Sequence, residues 1–321
     1  MRIALASISG MPSEFLADDK NVASALRRRG VEVVVTPWDN MTIDWSMFDL
    51  VVARSTWDYS RRHREFCEWV RRRGSRLEND ADLVIWNSDK RYVSDLIAAG
   101  LPTVETTFVA PGDPRPAIVT DVVVKPTVST GGRNTGRFGP ASAEGALALM
   151  ERIHAEGGTA MMQPFMAGIE TTGETAVVVI DGEVSHALRK RSYLRPDEMA
   201  PTSDDELEAA QAMYDPGLVS SAPAAQDEID LTLDALKFIA HRFGTTPLAC
   251  RVDMVSHKGS PTILELEAIE PSLYLTREPG SAARLASAMI VRAAQRTGPT
   301  TRLVKSSDHR LKPRNSDTAA S

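Results

Sequence analysis

The sequence predicts an α/β protein made of α+β lobes, on three observations. In the first stretch, up to Ala53, apolar runs and one amphipathic run alternate in the order strand, helix, strand, strand, the pattern of a small doubly wound unit. Farther on, apolar runs at 174–180 and 183–190 flank Asp181-Gly182, a hairpin-turn signal. A second pair of runs, 251–255 and 262–271, flanks the turn-prone His257-Lys258-Gly259-Ser260-Pro261 and is studded with charge.

Composition bounds the function. The chain has 321 residues, 42% of them hydrophobic and 25% charged, enough for a large core in two or three lobes. A net charge of −6 argues against broad, charge-driven binding to nucleic acid. Cys67 and Cys250 can make at most one disulfide and have no zinc-site spacing, so reduced thiols are expected. The start Met1-Arg2-Ile3-Ala4-Leu5-Ala6-Ser7 is too short for a signal peptide, and no apolar run reaches spanning length. The expectation is a soluble cytoplasmic protein with no membrane partner.

Taken in order, 2–6 reads as a buried strand followed by a polar loop at 7–13. A helix is expected over 21–29, from Val22, Ala25 and Leu26 at helical spacing and Gly30 as the stop. Strands follow at 31–36 and 50–53. Ligands of such sheets gather beyond the carboxyl ends of the strands. The loop Arg54-Ser55-Thr56-Trp57-Asp58-Tyr59 sits there and mixes a cation, hydroxyls and aromatics, as a polar small-molecule pocket would. The alternative is a loop whose Trp57 and Tyr59 plug the sheet edge. Residues 61–73 read as a helix with Phe66, Trp69 and Val70 on its apolar face and a solvated basic face. Asn87 or Ser88 can cap a helix running through Ile97, which places Lys90 in its first turn, the end the helix dipole makes unfavourable for a cation. That local conflict points to function, against a solvated lysine as the plain reading.

Strands are expected at 103–109 and 122–125. The second closes on Lys125, and the glycine-rich 129–139, with hydroxyls and two arginines, follows Pro126 at once. Neither GxxxxGK[ST] nor GxGxxG fits, but a lysine and a glycine loop can together hold one polyphosphate. A helix over 142–156 and a strand over 160–166 broken by Pro164 follow; the strand end could hold an adenine edge or could be plain core. His186 alone reads more readily as structural than catalytic, and Arg189-Lys190-Arg191 as either solvated or phosphate-neutralising. Residues 196–226 read as a long proline-punctuated loop with a short helix at 206–213. Helices are expected at 227–243 and 281–296, and a disordered tail after 298. In the late hairpin, alternation puts Arg251 and Asp253 on one face of the first strand and Glu265 and Glu267 on one face of the second, with Leu264 and Leu266 opposite. Converging carboxylates call for a cation: Mg²⁺ with nucleotide phosphates, or Arg251 alone in a salt-bridged sheet face.

The ordered set resembles an ATP-grasp ligase over 1 to about 295. The pieces are the small α/β lobe, Lys90, Lys125 before the glycine loop, Gln163-Pro164-Phe165, Gly173-Glu174, and Asp253 with Glu265 and Glu267. Four stretches resemble the D-cycloserine ligase (O-ureidoserine cyclo-ligase) branch more narrowly: 54–59, 86–92, 185–190 and 265–273. Glutathione-synthetase-like and ribosomal-protein glutamate ligases are more distant. The resemblance implies an N-terminal pre-ATP-grasp domain at 1–88, a central lid subdomain at 89–166, a C-terminal subdomain at 167–298 and a tail at 299–321. It implies that Lys90 and Lys125 bind phosphates, that Ser129, Thr130, Gly131 and Gly132 close over them, and that Gln163 and Phe165 hold adenine. Glu170 or Glu174 would hold ribose. Asp253, Glu265 and Glu267 would bind two Mg²⁺, or Mn²⁺, with Glu265 bridging, and Arg251 and Lys190 would act on the moving phosphoryl. Arg54, Trp57, Asp58 and His186 would choose the substrate. The implied activity joins a small amino-acid carboxylate to an amine through an acyl phosphate, in specialised metabolism, as a homodimer in the common case. A kinase, or a nucleotide-binding module without turnover, are the alternatives on the same fold. Two departures stand out: Glu267 replaces the family's usual asparagine, and 196–226 lacks the arginine, asparagine and paired glycines of many relatives.

Overall fold

A computed structural model of the chain describes residues 1–11, 16–192 and 217–297. The end of the loop expected at 7–13, the helix at 206–213, most of the loop at 196–226 and the tail at 299–321 lie outside the described residues.

Three sheets carry the architecture. The first is parallel, in the order β2-β1-β3-β4, from β1 (Arg2–Ser7), β2 (Glu32–Pro37), β3 (Leu50–Ser55) and β4 (Leu77–Glu78). Strand β3 is buried along its whole length, as a strand covered on both faces must be. One face meets α1 (Ala17–Arg27) through Val22, Ala25 and Leu26. The other meets Phe66, Trp69 and Val70 of α2 (His63–Arg73), with Trp38 and Trp45 packed edge-on to them.

The second sheet runs β5-β8-β6-β7, from β5 (Thr107–Val109), β6 (Val122–Pro126), β7 (Gly136–Phe138) and β8 (Ala160–Pro164), all antiparallel. Helix α5 (Ala143–Ala155) covers one face through Ala146, Leu149, Met150 and Ile153. The strand expected at 103–109 is shorter because its start bridges to another sheet, where the Val104 N–H donates to the Ile263 carbonyl and the Ile263 N–H to the Pro102 carbonyl. The glycine-rich loop ends earlier than expected, at Gly136, where β7 pairs with β6.

The third sheet runs β11-β10-β9-β12-β13. Its hairpins are β9 (Glu174–Ile180) with β10 (Glu183–Lys190), and β12 (Ala249–His257) with β13 (Ser260–Glu267); β11 (Val219–Ser221) is an edge. Helix α3 (Ala81–Asn87), α4 (Tyr92–Ala98) and α7 (Gln226–Phe243) pack on one face. A single turn, α6 (Gly168–Thr171), leads into β9, and α8 (Ser281–Thr297) packs between the other face and α1. The hydrophobic cores therefore cross the expected domain lines: α4 sits C-terminal to a boundary at 88, yet Tyr92, Val93 and Leu96 pack with Val177 and Val252 of the third sheet.

Two buried asparagines fasten the first lobe to the end of the late hairpin. Asn79 donates to the carbonyls of Ala249 (2.9 Å) and Ala268 (2.7 Å) and accepts from the Leu248 N–H (2.6 Å). Asn87 donates to the Leu266 carbonyl (2.8 Å) and accepts from the Ala268 N–H (2.7 Å). Buried Glu78 adds ion pairs to Arg292 and Arg296 of α8. Replacing Asn79 by Ala leaves the Leu248 donor without this partner, so the expected loss is roughly 2–4 kcal/mol, read as a lower urea midpoint with unchanged slope.

Candidate active site

Cross-strand register builds the site. Strands β12 and β13 turn through Lys258 and Gly259, both at positive φ, and set Arg251 opposite Glu267 and Asp253 opposite Glu265. Arg251 grips Asp253 with two parallel bonds, from Nε (2.7 Å) and Nη2 (2.8 Å). It also pairs with Glu267 and donates to the Ser272 carbonyl at 2.8 Å. Lys190, closing β10, donates to Asp253 at 2.8 Å and pairs with Glu174, opening β9. The tight approach there needs Gly173: its φ is +76°, and a Cβ would lie 2.7 Å from the Lys190 carbonyl.

Two more lysines arrive from elsewhere. Lys90, just before α4, donates to the Ser129 carbonyl at 2.8 Å and lies 3.1 Å from Glu265. Lys125, on β6, lies 3.9 Å from the other oxygen of Glu265. Thr130 donates to the Trp57 carbonyl at 2.6 Å, which ties the glycine loop to the first lobe. Gly131 and Gly132 both have positive φ, so the loop's turn depends on residues without a Cβ.

Burial works to raise the pKa of Asp253, and Arg251 and Lys190 more than offset it, holding the carboxylate below its ordinary range. Lys90 and Lys125 do the same for Glu265. Glu267 comes out raised: burial dominates, Arg251 opposes it, and Asp253 and Glu265 add to the rise. Burial lowers the Lys125 pKa against the pull of Glu265.

The cleft above this floor is open to solvent and is lined from the second and third sheets, the glycine loop, and Trp57 and Tyr59 of the first lobe. Lys90, Lys125, Ser129, Thr130, Gly131, Gly132, Gln163, Phe165, Glu174, Lys190, Arg251, Asp253, Glu265 and Glu267 all line it. Glu170 does not; Arg137 holds it at 2.5 Å while its guanidinium carbon lies 3.4 Å from the Phe165 ring centroid.

Of the four residues expected to choose the substrate, Trp57 alone lines the cleft. Arg54 is buried against Asp19 at 3.2 Å, Asp58 accepts from the Trp38 indole at 2.8 Å, and His186 donates to the Leu273 carbonyl at 2.8 Å. These three brace the scaffold behind the site instead of facing it. A second correction concerns Leu264. A register shift between Asp253 and Met254 makes it the extra residue of a β-bulge, so it turns to the cleft side with Val255 and Met166, while Leu266 stays in the opposite core.

Among the described residues no three His, Cys, Asp or Glu converge as a preformed metal cage. The donor chemistry still fits Mg²⁺, which takes one or two carboxylates with phosphates and water. Glu265 and Glu267 have side chains 26% and 29% exposed, whereas Asp253, at 2%, is closed in by Arg251 and Lys190. Glu265 and Glu267 are the pair that could hold the ion.

Glu270 also lines the cleft and was given no role from the sequence; the signal was a third carboxylate just past the acidic strand. Its carboxyl pKa is pushed up to about 8, by burial first and Glu267 next. A folded value of about 8 against an ordinary 4.5 means that the folded chain keeps a proton the unfolded chain has lost. Stability from this group is full below 4.5 and lost as pH rises through 8. Relative to an E270Q variant, the wild type is expected to lose roughly 1–3 kcal/mol across that window, measured by urea unfolding at several pH values.

Comparison with known proteins agrees with this geometry. Residues 3–79 match the family described as D-cycloserine synthetase DcsG, N-terminal domain. The cycloserine biosynthesis protein DcsG of Streptomyces lavendulae is 37% identical over 284 residues, covering 84% of this chain and 91% of that protein. The crystal structure of D-cycloserine synthetase DcsG superposes with a TM-score of 0.81 at 31% identity, over 91% of this chain and all (100%) of that one. At the level of fold alone, two others are similar. D-alanine–D-alanine ligase from Bacillus anthracis has a TM-score of 0.63 at 14% identity, over 92% of this chain and 98% of its own. The ATP-grasp ligase PsnB has 0.58 at 19%, over 90% and 99%. The chain belongs to the D-cycloserine synthetase DcsG family of ATP-grasp ligases.

Proposed function

We propose that the protein is an ATP- and Mg²⁺-dependent ligase that activates the carboxylate of a small amino acid as an acyl phosphate and joins it to nitrogen, releasing ADP and phosphate. One observation carries the reading: Lys90 and Lys125, from different lobes, meet at Glu265 beneath the glycine loop. Two ammonium groups beside a carboxylate and a glycine-rich turn are what a bound triphosphate needs. Relatives support it, since PsnB has been solved with Mg and ADP and D-alanine–D-alanine ligase with ATP.

The roles follow from placement. Lys90 and Lys125 exchange their grip on Glu265 for phosphate oxygens. The loop at 129–132 covers the phosphates and keeps water from the acyl phosphate. Gln163 and Phe165 face the adenine end, and Glu174 the ribose, with Glu170 released to it only when Arg137 lets go. When bound, Mg²⁺ supplies Lewis-acid neutralisation of phosphate charge, with Glu265 and Glu267 as its donors and Asp253 as the buried anchor that orients Arg251. Two ions sharing Glu265, and Mn²⁺ as a substitute, are part of this proposal. Arg251 and Lys190 are fixed charges on the side where the phosphoryl moves, so little reorganisation accompanies the step. The carboxylate oxygen attacks the γ-phosphorus and ADP leaves. Nitrogen then attacks the acyl carbon, the C–O bond to phosphate breaks, and the nitrogen gives up a proton. The similar DcsG is named for cycloserine biosynthesis, which supports a role in specialised metabolism; ring closure within one molecule and joining of two molecules are both compatible with the chemistry. A homodimer in the cytoplasm is the expected setting; no described helix is long and apolar enough to cross a membrane.

A kinase on the same fold would leave a stable phosphate ester in place of an amide, which mass spectrometry of the product decides. Substituting Glu265 by Gln is expected to lower amino-acid-dependent phosphate release on the order of 10³-fold while the protein stays folded. A nucleotide sensor without turnover would show no amino-acid-dependent release in the wild type. Substituting Lys125 by Ala is expected to weaken binding of a non-hydrolysable ATP analogue about tenfold or more, read by calorimetry with Mg²⁺.

A further inference from the structure

Five carboxylates face the cleft, and four of them already have a cation: Glu174, Asp253, Glu265 and Glu267 pair with Lys190, Arg251, Lys90 and Lys125. Glu270 is the exception. Among the described residues no lysine, arginine or histidine comes within ion-pair distance of its carboxylate. The nearest compensating influence is Lys90, which is held by Glu265 and the Ser129 carbonyl and which the triphosphate would claim. A half-buried carboxylate in this position takes a proton or waits for a cation.

Its surroundings say which cation. Glu270 lies just past β13, toward the first lobe, where the Trp57 indole N–H donates to its backbone carbonyl at 3.4 Å. Trp57 and buried Tyr59 line the cleft beside it, and Tyr59 is close enough to feel its charge. Aromatic walls around an unpaired carboxylate are the surroundings that recognise an organic ammonium group. We propose that Glu270, walled by Trp57 and Tyr59, binds the ammonium group of the amino-acid substrate. The inference rests on the ligase reading and deepens it. The substrate is an amino acid with a free cationic amine, anchored at Glu270, so that its carboxylate is presented toward the γ-phosphate. An acid without the amine leaves the carboxylate unpaired and is rejected.

The test uses the full-length protein with ATP and Mg²⁺. The probe is whichever acid of a D- and L-amino-acid panel, O-ureidoserine included, releases most phosphate. It is compared with the same acid carrying hydrogen in place of the amine. Wild type is expected to favour the amino acid by about 100-fold or more in kcat/KM. E270Q is expected to raise KM for the amino acid about tenfold or more and to reduce that preference below about tenfold, with the Kd of a Mg²⁺-bound non-hydrolysable ATP analogue unchanged. An unchanged KM and preference would overturn the assignment. So would a parallel loss of Mg²⁺ and nucleotide affinity, which would make Glu270 a metal ligand. Should E270Q not fold, E270D carries the same comparison, since withdrawing the carboxylate by one methylene also raises KM without touching nucleotide affinity. If no acid in the panel drives phosphate release in wild type, the ligase reading itself fails, whatever the variants do.

Discussion

Arg251 holds Asp253 by two parallel N–H···O bonds where neither group reaches water, and the rest of the cleft is arranged around that pair. A guanidinium and a carboxylate taken out of water cost several kcal/mol each, so the pair persists only with its remaining valences satisfied. Lys190 and the Ser272 carbonyl satisfy them, and Glu267 shares the guanidinium. The result is a floor of fixed charge whose positions are set by strand register and not by flexible side chains. Lys190 in turn needs Glu174, and Glu174 needs the backbone turn at Gly173, so one buried ion pair dictates geometry two strands away.

The same electrostatics separate support from supply. Asp253 is spoken for by the protein itself. Glu265 and Glu267 are partly open and hold lysine and arginine contacts that a polyanion can rearrange. Lys90 and Lys125 stand beside a carboxylate and Glu265 beside two ammonium groups, so the open part of the cleft is charge-balanced by its own side chains.

What could be read from sequence was local and periodic. Alternation and a turn signal were enough to pair 174–180 with 183–190 and to gather Arg251, Asp253, Glu265 and Glu267 on one face of the late hairpin. Lys125 before glycines was visible for the same reason. The misses are of another kind. No period reveals the bulge that turns Leu264 toward the cleft, because an extra residue breaks the period itself. Arg54 and Asp58 were singled out by their loop's place past a strand end and His186 by the resemblance alone, and their side chains are consumed by Asp19, Trp38 and the Leu273 carbonyl, partners distant in sequence. Glu270 lies beyond the strand, where no pattern speaks, and its lack of a cation is a statement about its neighbours in space. Packing across the chain is equally hidden: α4 follows the first lobe in sequence but packs on the third sheet.

The asparagine side chains of Asn79 and Asn87 bond to the backbone of the late hairpin, although no chain segment links those parts directly. First lobe and hairpin thereby behave as one anvil. Along the chain the second sheet joins it through the stretches 99–106 and 165–173, and both are held down, the first by the bonds of Ile263 to Pro102 and Val104, the second by Met166 and Ile169 packed on Val255. Moored at both ends, and with Thr130 bonded to the Trp57 carbonyl, the glycine turn has its position over the floor set by the frame.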